Sequence, residues 1–281
     1  MIRIVADSTC DLSKDLIDKY EITIVPLCVV MGDNSFYDGL EITPDEMYKW
    51  ADENKTTPKT AAITFEKTME ILKPMVDAQD EIIFFGISED MSTTCQVARL
   101  VGDELNYDRL YVIDSMNLST GIGLQVIRAS ELVSKGYKAE EIVEKIKSER
   151  HLVRSSFIVD TLTYLSRGGR CSSVTALLGN ALKLHPEIVV EDGKMNVARK
   201  YRGKLKKVLL DYVGDHKDEL LKAEPARIFI THSGVDDETT SLVKEALLNL
   251  NYFDEVLVTR AGGVISSHCG PGTLGILYYI R

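Results

Sequence analysis

Glu81-Ile82-Ile83-Phe84-Phe85-Gly86-Ile87 decides how this chain folds. The run is apolar on both faces, as a strand buried inside a parallel sheet must be. Helical segments flank it. Thr64 opens one that reaches Val76, and another follows Ser92, where Val97, Leu100, Val101 and Leu105 share a face. A strand at Leu110 to Ile113 comes next, then Asp114-Ser115 and a helix from about Gly121. Upstream, Ile2 to Ala6 reads as a buried strand, and Asp11 or Ser13 caps a helix through Tyr20. Ile22 to Val30 reads as a second strand, in which Pro26 marks an edge or a bulge. Thr43-Pro44-Asp45-Glu46 starts a capped helix. Strand and helix alternate, which implies an open parallel sheet with helices on both sides.

After Arg150 the pattern changes. Ser155 to Val159 is a strand, a helix follows at Leu162, and Ser166-Arg167-Gly168-Gly169-Arg170 is a tight basic loop. Ile188 to Val197 reads as a hairpin turning on Asp192-Gly193. A long helix spans Leu205 to Leu221. Arg227 to Thr231 is a strand, Glu238 to Leu250 a helix and Glu255 to Val258 a strand. This half is α+β with a mixed sheet. The expected architecture is thus α/β in two domains, 1–152 and 153–281.

The length of 281 residues is comfortable for two cores. A net charge of −10 disfavours nucleic acid, whose phosphates need basic stripes. The basic run Arg199-Lys200-Tyr201-Arg202-Gly203-Lys204-Leu205-Lys206-Lys207 is either a solvated helix start or a docking surface. No apolar run is long enough to cross a bilayer, and Met1 to Asp7 is a short strand rather than a signal peptide. A cytoplasmic protein is expected. The five cysteines, Cys10, Cys28, Cys95, Cys171 and Cys269, are odd in number and form no CxxC pair, so neither a disulfide framework nor a zinc site follows.

Polar residues gather where a parallel sheet places its ligands, past the carboxyl ends of the strands. Asp7-Ser8-Thr9 follows the first strand, Ser88-Glu89-Asp90-Met91-Ser92-Thr93-Thr94 the central one, and Asp114-Ser115 the third. Such residues cap helices or donate to an anion. Gly262-Gly263-Val264-Ile265-Ser266-Ser267-His268-Cys269-Gly270-Pro271-Gly272-Thr273-Leu274-Gly275 sets a histidine in a glycine-rich stretch, either a tight strand connection or a functional loop. Cys269 beside it is a weak nucleophile candidate, because neighbours on an extended chain face opposite ways. Gly121-Ile122-Gly123 is not a full dinucleotide fingerprint. There is no Walker A, GxSxG or HExxH sequence, and no metal site is expected.

These segments together resemble the DegV family, bacterial fatty-acid-binding proteins that serve a fatty acid kinase. The resemblance runs over essentially the whole chain. Its most specific parts are Asp160-Thr161-Leu162-Thr163-Tyr164-Leu165-Ser166-Arg167-Gly168-Gly169-Arg170 and His268-Cys269-Gly270-Pro271-Gly272. Asp7-Ser8-Thr9, Pro58-Lys59-Thr60, Ser119-Thr120-Gly121-Ile122-Gly123 and Thr231-His232-Ser233-Gly234 support it. It implies a two-domain protein with a long-chain fatty acid buried at the interface. It also implies that Thr60 and Ser92 hydrogen-bond the carboxylate, with His268 and Arg170 completing the network. Ala61, Thr93 and Gly270 would stand beside the head group, and Arg202 is a weaker candidate. The sequence departs from the family where Thr60-Ala61-Ala62-Ile63-Thr64 replaces a Thr-Ser-Gln-Pro-Ser element, and where Ser92-Thr93-Thr94 replaces Ser-Gly-Thr. Ala61 lacks a hydroxyl that would donate to the carboxylate.

The implied role is a binding protein rather than an enzyme, with no cofactor of its own. Its partners are the fatty acid and the kinase subunit, and a transient contact with a membrane surface stays open. Burying one methylene gains about 0.8 kcal/mol, so a tail of roughly sixteen carbons gains on the order of 12 kcal/mol before ordering costs. The tail supplies affinity and the head group sets orientation. Two rivals remain: a serine-dependent acyl hydrolase or transferase using Ser92 with His268, and a carrier of another amphipathic acid.

Overall fold

In chain order the first part of the molecule runs β1 (Ile2–Asp7), α1 (Lys14–Lys19), β2 (Thr23–Val25), β3 (Cys28–Met31), β4 (Asn34–Tyr37), α2 (Pro44–Asn54), β5 (Lys59–Ala61), α3 (Phe65–Asp77), β6 (Glu81–Gly86), α4 (Thr94–Glu104), β7 (Leu110–Asp114), α5 (Thr120–Ser134) and α6 (Ala139–Glu149). The second part runs β8 (Val153–Ile158), α7 (Leu162–Gly168), α8 (Ser172–Thr175), β9 (Leu184–Glu191), β10 (Lys194–Arg202), α9 (Leu205–Asp215), α10 (Lys217–Leu220), β11 (Ala223–Ser233), α11 (Asp237–Leu248), β12 (Glu255–Arg260), α12 (Gly263–Cys269) and β13 (Thr273–Ile280). The computed structural model describes residues 1–175, 177 and 184–281.

The chain is α/β, with the parallel sheet and the mixed sheet that the sequence predicts. The parallel sheet has the order β2-β1-β6-β7, so the apolar run at 81–87 lies inside it. Its side chains alternate between two cores. Ile83 and Phe85 point into one apolar cluster, Ile82 and Phe84 into another. The mixed sheet has the order β10-β9-β8-β13-β11-β12 and is antiparallel except for β11 against β12. Phe157, Ile188, Phe229 and Leu277 on one of its faces join the cluster of Ile83 and Phe85. The two sheets draw their strands from either side of residue 152, yet they share this core.

Several sequence expectations are corrected. The strand at 22–30 breaks at Pro26 and Leu27, because Pro lacks the N–H a continuing ladder needs. β2 edges the parallel sheet, and β3 belongs to a third, antiparallel sheet of order β4-β3-β5. Simple strand–helix alternation misses this sheet. The basic run at 199–207 begins on β10 and continues into α9, so it is not a helix start alone. The helix expected at 205–221 is interrupted at His216, whose Nε2 lies 2.6 Å from Oε1 of buried Glu187 on β9. Part of the basic loop at 166–170 is the end of α7, which stops at Gly169. The hairpin turns where expected, with Asp192 and Gly193 at φ 48° and 78°.

Candidate functional site

The stretch 262–275 is not a loop throughout. Residues 263–269 form α12, and His268 sits in its last turn. Gly-Gly-Val-Ile-Ser-Ser is a poor helix former by itself. Buried carboxylates from distant segments make the helix possible. Asp38 accepts from the N–H groups of Gly263 (2.6 Å) and Val264 (3.2 Å), and Asp11 accepts from that of Gly262 (2.8 Å). These are the N–H groups a helix start leaves unpaired, and negative charge suits them. Ser8 Oγ donates to Asp38 (3.2 Å) and Ser119 Oγ to Asp11 (2.6 Å). Next to them Asp7 accepts from the backbone of Thr9 (2.9 Å) and Ile87 (2.7 Å). Burial pushes all three carboxyls up, Asp7 to about 6. Within the first-strand segment Asp7-Ser8-Thr9, Ser8 supports the helix through Asp38, while Asp7 ties Thr9 to Ile87.

The flank of α12 is equally tied. Ser233 Oγ donates to Ser266 Oγ (2.7 Å), and the hydroxyls of Ser233 and Tyr48 share a hydrogen bond of 2.5 Å. Tyr48 packs edge-on against Tyr164 of α7. Gly270, at φ 77°, follows the helix, and a Cβ there would lie 2.9 Å from the Tyr164 ring. The His-x-Gly-Pro-Gly segment thus packs against α7, which leads into the Arg-Gly-Gly-Arg segment.

At the C-terminal end, His268 Nε2 and Thr60 Oγ1 of β5 share a hydrogen bond of 2.7 Å. Nδ1 of His268 is buried without a partner. It lies against Gly168, where a Cβ would come within 2.3 Å of it. Burial first, and the Arg170 charge second, pull His268 down to about 4, so it is neutral at pH 7. Arg170 donates to the carbonyl oxygens of Gly168 (2.7 Å) and Met91 (3.5 Å) and remains exposed.

Thr60, Ser92, His268 and Arg170 all line a cavity of about 50 Å³, together with Ala61 and Ala62. Its remaining wall is mainly apolar: Leu27, Ile87, Met91, Leu118, Met195, Val264, Ile265 and Cys269. The structure brings together four of the residues singled out from the sequence, plus Ala61. Thr93 is exposed and precedes α4, Gly270 supports the helix end, and Arg202 ends β10 opposite Leu184; none of these three lines the cavity. Leu27, Met195 and the anchoring Asp38 carry no motif that marks them in the sequence.

Ser92 Oγ pairs with Thr94 Oγ1 at 2.9 Å, while His268 pairs with Thr60. No serine–histidine hydrogen bond of a hydrolase joins Ser92 to His268 among the described residues. Cys269 is buried, and burial raises its thiol to about 12, far from a reactive thiolate. Its neighbour relation to His268 is that of consecutive helical residues, not of an extended chain. Among the described residues no group of His, Cys, Asp and Glu is placed to hold a metal ion, and no helix is long and apolar enough to cross a membrane. A larger cleft of about 470 Å³ opens where β9 leaves β8, but its walls carry Arg150, Arg154, Glu191 and Glu219 and none of the residues above.

A family model, DegV, described as an uncharacterised protein family, matches residues 1–281. A DegV domain-containing protein of Clostridium perfringens is 35% identical over 280 residues, covering 99% of this chain and 98% of that one. A solved DegV family protein from Thermus thermophilus, described by its fatty acid binding, is similar at a TM-score of 0.91 and 31% identity, covering 100% of this chain and 99% of that one. A stearic-acid-binding protein from Eubacterium ventriosum is similar at a TM-score of 0.88 and 27% identity, covering 100% and 98%.

Proposed function

The chain belongs to the DegV family over its whole length, and we propose that it binds a long-chain fatty acid and presents the carboxylate to a fatty acid kinase. The observation that carries this reading is the Thr60–His268 hydrogen bond at the edge of an apolar cavity with Arg170 beside it. Chain segments 1–152 and 153–281 act as two domains, and the ligand lies between them.

A neutral imidazole carries one proton. With that proton on Nε2, His268 donates to Thr60 Oγ1, and the Thr60 hydroxyl hydrogen is free to point at a carboxylate. His268 then orients the donor, and Arg170 supplies the positive charge that His268 lacks. Ser92, which lines the same cavity, offers a second hydroxyl. Ala61 brings no hydroxyl, so the head group rests on fewer donors than the family pattern provides. A buried carboxylate without such partners would cost several kcal/mol or take up a proton.

At about 50 Å³ the cavity has room for one or two waters, each of roughly 30 Å³ in the liquid. An acyl tail therefore enters by displacing side chains. Met91 and Met195, unbranched and adaptable, form the wall that yields most readily. The protein works without a cofactor of its own, and the kinase supplies ATP, metal and phosphoryl-transfer chemistry. The setting is the cytoplasm, where both partners meet.

Mass spectrometry of lipid extracted from the purified protein tests the binding. Absence of any acyl species, with no uptake of added fatty acid, overturns it. Kinase assays test the presentation. Ser92→Ala and His268→Ala are expected to reduce acyl-phosphate formation by about a hundredfold, because misplacing the reacting oxygen by about an ångström is enough. Fatty acid affinity should fall only about fivefold, the worth of one hydrogen bond. Unchanged acyl-phosphate formation in both variants removes the assignment.

A further inference from the structure

The cleft of about 470 Å³ beside β8 and β9 shares no lining residue with the acyl cavity. The two antiparallel strands pair at Ser156–Val189, Phe157–Ile188 and Ile158–Glu187, and then part. The same register carried on would set Ser155 against Val190, Arg154 against Glu191 and Val153 against Asp192. None of these pairs forms. Val153 to Ser155 pair only with β13, and Val190 and Glu191 only with β10. Two strand edges therefore face each other across the cleft, and main-chain N–H and C=O groups along such edges need partners. The hairpin tip is held away by contacts of its own. Ser88 Oγ, in the segment after β6, donates to the Gly193 carbonyl (2.7 Å), and Lys194 Nζ lies 3.6 Å from Asp90.

Most polar side chains around the cleft are already engaged. Ser155 Oγ donates to Asn117 Oδ1 (2.7 Å), and Ser156 Oγ shares a hydrogen bond of 2.7 Å with the Tyr212 hydroxyl. His216 pairs with Glu187 (2.6 Å), and Arg154 lies 3.7 Å from Glu219. Three charged groups stand apart from these. Half-buried Arg150 donates to the Asp114 carbonyl but forms no ion pair among the described residues. Glu191 and Asp192, at the hairpin end, form none either. Positive charge thus stands on one wall and negative charge on the other, lining one cleft without meeting. A molecule with an anionic and a cationic end fits that arrangement. The open edge from Val153 to Ser155 gives it the length of about two or three extended residues at about 3.3 Å each.

We propose that this cleft binds a short peptide with free ends, extended between β8 and β9. Its carboxylate reaches Arg150, its ammonium reaches Glu191 and Asp192, and its main chain pairs with the open strand edges, as an added strand does. The volume lies within the range of small-molecule sites. In the test, the full-length protein is dialysed against a random tripeptide mixture, and retained peptides are identified by mass spectrometry. The best-retained peptide is then titrated calorimetrically in free, N-acetylated and C-amidated forms. Each cap should weaken binding about tenfold, the worth of one charged hydrogen bond. Arg150→Gln should weaken the free peptide about tenfold and leave the amidated one unchanged. Glu191→Gln combined with Asp192→Asn should act likewise on the free peptide and leave the acetylated one unchanged. Asn tolerates the left-handed backbone at 192, and thermal unfolding establishes that the variants are folded. Retention of no peptide overturns the proposal. So does a folded Arg150→Gln that binds free and amidated peptide as the wild type does, or a peptide displaced by added fatty acid, which would lie in the acyl cavity. Each of these outcomes leaves fatty acid binding standing.

Discussion

At the N-terminal end of α12, two buried carboxylates close three backbone N–H groups, and hydroxyls of Ser8 and Ser119 close the carboxylates in turn. At the C-terminal end, His268 has one hydrogen bond and one buried nitrogen with none. The first end is satisfied and fixed. The second leaves the Thr60 hydroxyl hydrogen uncommitted beside a cavity. A helix of two turns therefore connects an anchor to a binding surface, and the anchor sets where the imidazole stands. Cutting either end should give opposite signatures.

The largest expected effect is on the anchor. Asp38→Ala leaves the Gly263 and Val264 N–H groups buried without an acceptor and should cost about 3 kcal/mol in urea unfolding. A loss below about 1 kcal/mol, the size of an ordinary surface change, would mean that the carboxylate is not what holds the helix.

The buried carboxyl of Asp7, next to the anchor, and His268 at the binding end should also respond oppositely to pH. Asp7 takes up its proton near pH 6 when folded, against an ordinary value of 3.8. The folded chain binds more protons in that window, so this contribution is full below about pH 4 and is lost as pH rises through about 6. His268 titrates near 4 when folded, against 6.5 ordinarily. The unfolded chain binds more protons there, so this contribution is full above pH 6.5 and is lost as pH falls through about 4. Each swing is worth about 3 kcal/mol at about 1.4 kcal/mol per pKa unit. Asp7→Asn and His268→Gln should each remove one arm of the stability–pH curve. Parallel curves for wild type and variants would contradict the opposition.

Gly168→Ala attacks the binding end without touching a donor. Its Cβ would fall on His268 Nδ1, and overpacking of this kind costs about 2 kcal/mol. We expect kinase presentation to drop as in His268→Ala, while stability falls less than in Asp38→Ala. The smallest effect belongs to Thr60→Val, which removes the partner of His268 and should lower stability by about 1 kcal/mol. Should its stability loss exceed that of Asp38→Ala, the assignment of anchor and binding end would have to be reversed.

Much of the fold was legible locally. The apolar run at 81–87 marked the inner parallel strand, Asp192-Gly193 marked the hairpin turn, and Thr43 with Pro44 marked the start of α2, where Glu46 completes a capping box. Each rests on contacts within a few residues or on a period. The resemblance of separated motifs pointed to Thr60, Ser92, Arg170 and His268, which share one cavity wall. Other features stayed hidden. The antiparallel sheet of β3, β4 and β5 is built from strands of three or four residues, too short for a period to show. α12 looked like a loop because its own residues favour helix weakly.

The sequence by itself determined that there is a parallel and a mixed sheet, and the family, because periodicity and motif order need no partner; the strand at 273–280, inside the mixed sheet, was not among the elements read from it. Only the tertiary structure decided that 263–269 is a helix and that His268 is neutral. It also decided that Thr60, 208 residues away, is the group His268 holds. A carboxylate supplied from Asp38 and a proton expelled by burial are effects of neighbours in space, and no local pattern records them.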